Sequence, residues 1–309
     1  MTQSGTPILR IGTRGSPLAL VQARTVRAKL ALALGATEDD IEIVIIRTSG
    51  DAIQDRPLSE VGGKGLFTKE IEEAMLGNRV DLAVHSAKDM PTLSQPGLAL
   101  VACLEREDPR DVFISRKAKS LMELPRGATM GTASLRRQAI TMAIRPDLRV
   151  VPLRGNVQTR LNKLDSGEFD ATLLAMAGLN RLGLTEHATH VMSVEEFLPA
   201  VAQGAIGLEA RADDKRTRDI LARIDHADTS IAVSCERAFL AELDGSCKTP
   251  IAGHATLDGN TLHFRGLIAR PDGGAAHDIS GNGHLRDAVE IGADAGRELK
   301  KAAGAKFFD

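Results

Sequence analysis

Hydrophobic positions along this chain fall into short β-branched runs alternating with longer stretches of helical spacing. An apolar run at 8–11 precedes Ser16-Pro17, a helix start in which Ser caps and Pro occupies the first turn. Helical spacing then continues through 19–34 and stops at Gly35, and residues 41–47 read as a strand. Residues 51–65 hold one Pro and three glycines without a periodic face, which predicts a mobile loop. A helix at 66–76 ends near Gly77. The short strand 80–84 then runs into His85-Ser86-Ala87-Lys88-Asp89.

The alternation recurs between 109 and 199, with strands at 111–114, 128–130, 149–153 and 171–174 and helices at 134–143, 157–164 and 177–182. Such alternation predicts α/β units with mainly parallel sheets. From about residue 230 the pattern changes. A helix at 231–240 precedes strands at 250–257 and 261–268, joined through Asp258-Gly259-Asn260, and a terminal helix spans 285–302. That order predicts a small α+β domain. No internal repeat stands out, and 309 residues suit two or three domains.

Composition narrows this picture in three ways. With eight Phe and neither Tyr nor Trp, the cores must be built from Leu, Val, Ile, Ala and Met. A net charge of -2 gives no global attraction for nucleic acid or an anionic membrane, although a local basic cleft remains compatible with it. The polar start, Met1-Thr2-Gln3-Ser4, lacks the apolar core of a secretory signal, and no stretch has membrane-spanning length without charges. Three widely spaced cysteines, Cys103, Cys235 and Cys247, do not make a disulfide framework and fit a reducing compartment.

Candidate chemistry concentrates at turns. Arg14, Lys64, Lys88, Arg136, Arg137, Arg154, Arg160 and Arg181 recur at strand ends and helix starts, several beside glycine or small polar residues. Free N–H groups at a helix start favour an anion, and guanidinium matches a carboxylate. Phosphate would suit the same donors, but neither a P-loop nor a dinucleotide-binding glycine pattern is present. Asp89, at a strand end beside Lys88, suits acid–base work or a turn cap. Cys247 lies in the compact loop Asp244-Gly245-Ser246-Cys247-Lys248, where Lys248 favours thiolate. Cys103 and Cys235 sit in apolar settings and read as packing. Metal-ligand spacings and Gly-x-Ser-x-Gly are absent.

Taken together, the motifs resemble the porphobilinogen deaminase (hydroxymethylbilane synthase) family. The resemblance rests on IGTRGSPLAL at 11–20, VGGKGLFTKEIE at 61–72, DLAVHSAKDMP at 81–91 and EREDPRD at 105–111. It continues in GTASLRRQ at 131–138, LRGNVQTRLNKLD at 153–165, GLNRLGL at 178–184 and GSCKTPIAG at 245–253. It implies two periplasmic-binding-protein-like α/β domains, the first 8–104 plus 204–224 and the second 105–203, with a smaller α+β domain at 225–309. It also implies a monomeric cytoplasmic transferase without a metal. This enzyme would condense four porphobilinogen molecules on a dipyrromethane primer, giving hydroxymethylbilane and ammonia.

By the same resemblance, Cys247 carries the dipyrromethane through a thioether and Asp89 is the catalytic residue. Lys88, Ser86, Thr132, Ser134, Arg136, Arg137, Arg154 and Arg160 would hold the cofactor. Arg14, Ser16, Arg181, Gln203 and Lys64 would meet porphobilinogen and the growing chain. Three positions depart from the family's usual residues: Gly12 where alanine is frequent, and Ala202 and Ser246 where glycine is. Two other readings fit the basic turns alone: a two-lobed binding protein for an anionic metabolite, and a phosphate-handling enzyme. Neither accounts for the cysteine loop.

Overall fold

A computed structural model describes residues 7–52, 66–245, 249–304 and 307. In chain order, β1 (Leu9–Thr13), α1 (Pro17–Leu34), β2 (Ile41–Ile45), α2 (Ser49–Ala52), α3 (Lys69–Leu76), β3 (Leu82–Ser86) and β4 (Leu98–Cys103) come first. Then follow β5 (Asp111–Ser115), β6 (Thr129–Gly131), α4 (Leu135–Ile144), β7 (Arg149–Val151), α5 (Val157–Asp165), β8 (Ala171–Ala175), α6 (Met176–Leu182) and β9 (His190–Val191). The remainder is β10 (Ile206–Arg211), α7 (Lys215–Leu221), α8 (Ala227–Glu242), β11 (Ile251–Asp258), β12 (Thr261–Ala269), β13 (Ala276–His284) and α9 (Ala288–Ala303).

These elements build an α/β protein with two five-stranded sheets and a smaller three-stranded antiparallel sheet with helices. The chain separates into two compact units, one comprising 1–54, 63–106 and 205–230, the other 55–62, 107–204 and 231–309. In the first unit the sheet order is β2-β1-β3-β10-β4. β1 pairs parallel with β2 and β3, whereas β10 runs antiparallel between β3 and β4. One face buries Val26 and Leu30 of α1 and Leu221 of α7 against Leu9, Ile11 and Leu208. The other buries Ile71 and Met75 of α3 against Ala83. Strands covered on both faces explain why they read as nearly continuous apolar runs.

The second unit repeats the plan with the order β7-β6-β8-β5-β9. β6 pairs parallel with β7 and β8, and β5 is again the antiparallel strand in fourth place. Ile140 of α4 covers one face with Phe113 and Met130, and Leu161 of α5 covers the other with Val112 and Ile114. The same unit contains the β11-β12-β13 sheet, on which Phe239 of α8 packs a ring against Phe264, with centroids 4.9 Å apart.

Several elements depart from the expectation set by sequence. A helical turn, Ser49–Ala52, begins before the stretch read as a loop; residues 53–65 of that loop, with Lys64, lie outside the described residues. The sequence pattern assigns no element between 268 and 285, where β13 forms. Its sequence, Ala-His-Asp-Ile-Ser-Gly-Asn-Gly-His, has low strand propensity. It is a strand because it pairs in full register with β12, from Thr261 opposite His284 to Ala269 opposite Ala276. The two-residue β9 is too short to leave a pattern.

Candidate active site

In the first unit, the site grows from the end of β1. Gly12 permits close approach there, since a Cβ would lie 3.0 Å from Val80 Cγ2. Ser16 caps α1, its hydroxyl accepting from the Ala19 N–H at 3.3 Å, and Pro17 supplies the fixed first turn. Pro17 carries no N–H, and those of Ala19 and Leu20 go to Ser16, so it is the positive end of the helix dipole that favours an anion here. Arg14 stands beside it, half-buried, with its guanidinium carbon 4.2 Å from the centroid of the Phe67 ring.

β3 supplies the other wall. Its last residue, Ser86, accepts from Gln22 Nε2 at 2.9 Å, and a single turn, Ala87–Asp89, follows. Lys88 is half-buried there and Asp89 is exposed. Arg14, Ser16, Gln22, His85, Ser86 and Asp89 line a cavity of about 60 Å³. It therefore joins the carboxyl of Asp89 and the guanidinium of Arg14 with three hydroxyl residues, Ser16, Thr68 and Ser86. The buried Gln22 was not singled out in the sequence, where it looks like any polar residue of an amphipathic helix.

The second unit offers a different arrangement. Ser134 caps α4, accepting from the Arg137 N–H at 3.4 Å, while the Thr132 hydroxyl accepts from the Ser134 N–H at 3.1 Å. Arg136 and Arg137 lie in the first turn, both buried, and meet on Asp111. Arg136 Nη2 donates to Asp111 Oδ2 at 2.6 Å; Arg137 Nη2 and Nε donate to Oδ1 at 2.6 and 3.1 Å. Arg136 also reaches the Leu198 carbonyl at 2.7 Å and Arg137 the Leu173 carbonyl at 2.8 Å.

Gln203 is drawn into this cluster, with Nε2 donating to the Pro109 carbonyl at 2.7 Å and to Asp111 Oδ1 at 3.2 Å. Burial alone would push the Asp111 carboxyl up, but the two guanidinium groups hold it down at about 2. Sequence reasoning missed Asp111, although it is the last residue of the EREDPRD match and heads an apolar strand. A carboxylate in that position needs a cationic partner.

The remaining basic candidates are distributed within the second unit. Arg160, half-buried on α5, donates through Nε to the Gly155 carbonyl at 2.9 Å, near the half-buried Arg154. Arg181 Nη2 donates to the Gly204 carbonyl at 2.6 Å, and burial lowers its guanidinium pKa. Cys247, with Ser246 and Lys248, lies outside the described residues. Cys103 and Cys235 are buried, and burial pushes the Cys235 thiol up to about 12, where it stays protonated. Among the described residues no cluster of His, Cys, Asp and Glu is arranged to hold a metal, and no helix is long and apolar enough to cross a membrane.

Each α/β sheet is followed by a serine-capped helix start with arginine beside it, and the first adds an exposed carboxyl, features suited to an anionic small molecule. Comparison with known proteins makes that class specific. The family described as "Porphobilinogen deaminase, dipyromethane cofactor binding domain" matches residues 9–219, and "Porphobilinogen deaminase, C-terminal domain" matches 230–301. Porphobilinogen deaminases of Nitrobacter hamburgensis and Nitrobacter winogradskyi are each 58% identical over 298 residues, 96% of this chain and 94% of theirs. Among solved structures, Immunogenic lipoprotein A from Vibrio vulnificus aligns with 72% of this chain and 96% of its own, at 11% identity and a TM-score of 0.46. The chain belongs to the porphobilinogen deaminase family. Its substrate is porphobilinogen, its cofactor dipyrromethane, and its place is tetrapyrrole biosynthesis.

The residues fit such a cofactor, whose rings carry carboxylate side chains. Two guanidinium groups share one carboxylate at Asp111, leaving one positive charge over, and Arg136 Nε is buried without a partner. An additional carboxylate would match both the surplus charge and the spare donor.

Proposed function

We propose that Asp89 is the acid–base residue for this chain's reaction, the stepwise condensation of porphobilinogen on dipyrromethane to hydroxymethylbilane with release of ammonia. The observation that carries this reading is the exposed Asp89 carboxylate lining a cavity with Arg14 and the α1 start. Asp89 assists departure of the amine, stabilises the positive charge developing on the pyrrole nitrogens, and accepts the proton lost from the newly bonded carbon. Arg14, Ser16 and the positive N-terminal end of α1 hold substrate carboxylates, which fixes the joining carbons and reduces the orientation cost. The dipyrromethane, when bound, supplies the nucleophilic pyrrole carbon.

Cys247 anchors it by thioether, a reading supported by the GSCKTPIAG match. Ser86, Lys88, Thr132, Ser134, Arg136, Arg137, Arg154 and Arg160 face its carboxylates and those of the chain built on it. Arg181, Gln203 and Lys64 serve the incoming substrate. Three domains, a monomeric state and a cytoplasmic location complete the reading, supported by the two α/β sheets, the separate antiparallel sheet and the cysteine usage. Intact mass of the native protein should exceed that of the polypeptide by one dipyrromethane, with peptide mapping locating it on Cys247. Fully active protein with unmodified Cys247 would overturn the anchor.

A further inference from the structure

Behind the Asp89 cavity lies a set of buried ionisable groups that the reaction as described leaves unused. His85, on β3, is buried, and its Nε2 lies 3.2 Å from Glu209 Oε2 on β10. Glu209 is 1% exposed. The contact follows from register. Ala83 opposes Glu209 and Gly207 opposes His85, so His85 and Glu209 are diagonal neighbours on one face of the antiparallel pair. Opposite that face, α3 contributes Glu72, also buried. His85 is among the residues that line the same cavity as Asp89, Ser86 and Arg14. A buried carboxylate and imidazole in an otherwise apolar sheet are costly unless paired. They are paired here, at the wall of a cavity large enough for more than one water.

The reaction creates a need at this place. Porphobilinogen enters with its amine as ammonium and loses neutral ammonia, so the proton freed from the joining carbon is surplus. Asp89, having accepted it, must be returned to its carboxylate form before the next condensation. We propose that His85, oriented by Glu209, is a positioning residue that takes this proton from Asp89 through water in the cavity. The step balances without oxidant or reductant. Asp89 accepts the proton while the C–H electron pair stays in the ring. The proton passes through a water, which gains one and loses one, to Nδ1 of His85. It then passes to solvent water, where the ammonia released earlier in the same cycle takes it up as ammonium.

Glu209 fixes the direction of this transfer. Accepting from Nε2–H, it leaves Nδ1 as the basic nitrogen and stabilises the imidazolium that forms, as a buried carboxylate does behind a histidine base. Burial, the largest influence, pushes the Glu72 carboxyl up, and the neighbouring Glu209 charge adds to this. Glu209, not Glu72, is the carboxyl in contact with the imidazole.

The proposal rests on Asp89 as the proton acceptor, so Asp89→Ala is measured beside His85→Gln and Glu209→Gln, all as cofactor-loaded protein. His85→Gln is expected to lower kcat about a hundredfold and Glu209→Gln about tenfold, within the range of a lost proton-transfer partner. KM should hold, and the solvent deuterium isotope effect on kcat should rise in both. Unchanged kcat and isotope effect in both, with Asp89→Ala inactive, would overturn the relay alone. Near-normal turnover in Asp89→Ala would overturn the pocket reading itself. If neither substitution yields loaded protein, histidine-labelled ¹⁵N spectra of the native holoenzyme decide. At a pH where the ring is neutral, Nε2–H on His85 supports the relay and Nδ1–H overturns it.

Discussion

The two five-stranded sheets share a plan and differ in what they do with an acid. In each, three parallel strands are followed by an antiparallel strand in fourth place. In each, a Gly-Thr pair lies at the end of the second strand of the order, within β1 at Gly12-Thr13 and across the end of β6 at Gly131-Thr132. A serine, Ser16 or Ser134, caps the next helix. The first sheet leaves Asp89 exposed at a cavity. The second seals Asp111 beneath two guanidinium groups, which hold its carboxyl down at about 2. A carboxylate held so low cannot exchange protons near neutrality. It can only position cations. One scaffold thus holds one carboxyl exposed at a cavity and another as a fixed charge beneath two guanidinium groups.

The comparison breaks most readily at Asp89. Asp89→Ala should lower turnover by about a hundred- to ten-thousand-fold, the usual range for a lost acid–base group, with an unchanged denaturation midpoint. An exposed side chain beyond the strand end carries little packing, so a large drop in stability would assign it to the fold. The counterpart is Asp111→Asn. Leaving two buried guanidinium groups without their carboxylate should cost about 3–5 kcal/mol in urea unfolding, whatever the cofactor content. A loss below about 1 kcal/mol would mean that the cluster relaxes and that its fixed charge is dispensable.

Acid sharpens the contrast further. Asp111 has a folded-state pKa of about 2, below its unfolded value, so its contribution is present above the unfolded value near pH 4 and is lost as pH falls towards 2. The difference is worth about 2.5 kcal/mol at neutral pH. Urea unfolding of the wild type between pH 5 and 2 should show this decline, and Asp111→Asn should flatten that part of it. Equal slopes in the two proteins would place the acid sensitivity elsewhere, for instance in Asp170, also held at about 2.

How much of this was legible beforehand depends on whether a residue's role is local. The capped helix starts at Ser16 and Ser134 were readable because capping is written in adjacent residues. Arg136 and Arg137 were readable as basic residues at a helix start. Their burial was not, because their partners, Asp111, Leu173 and Leu198, lie 25 or more residues away. β13 was missed for the same reason: only its pairing with β12 makes a strand of Asp278-Ile279-Ser280-Gly281-Asn282. The shared plan of the two sheets left little more than a Gly-Thr pair and a serine cap, too few matches to stand out as a repeat. Asp89 emerged from its strand-end position and motif. The His85–Glu209 contact, across 124 positions, needed the register of β3 and β10.

The smallest effect is expected at Ala202, where this chain departs from the glycine frequent in its family. Ala202 adopts φ +59, a left-handed conformation, and is 1% exposed. Its N–H donates to Glu236 Oε2 at 2.5 Å, while Glu236 Oε1 accepts from the Ala255 N–H at 2.8 Å. One buried carboxylate thus ties the 199–204 segment to β11 and holds the unusual backbone in place. Ala202→Gly would relieve about 1–2 kcal/mol of left-handed strain. It would also remove a buried methyl worth about 0.8 kcal/mol and enlarge the unfolded ensemble by about 0.4–1 kcal/mol. These contributions nearly cancel, so the glycine variant should unfold within about 0.5 kcal/mol of wild type on that balance. Ala202→Val should lose about 2 kcal/mol or more, because a β-branched residue is poorly accommodated there. A glycine variant stabilised by the full relief would show that the methyl contributes nothing, and that the Glu236 tie alone sets this backbone.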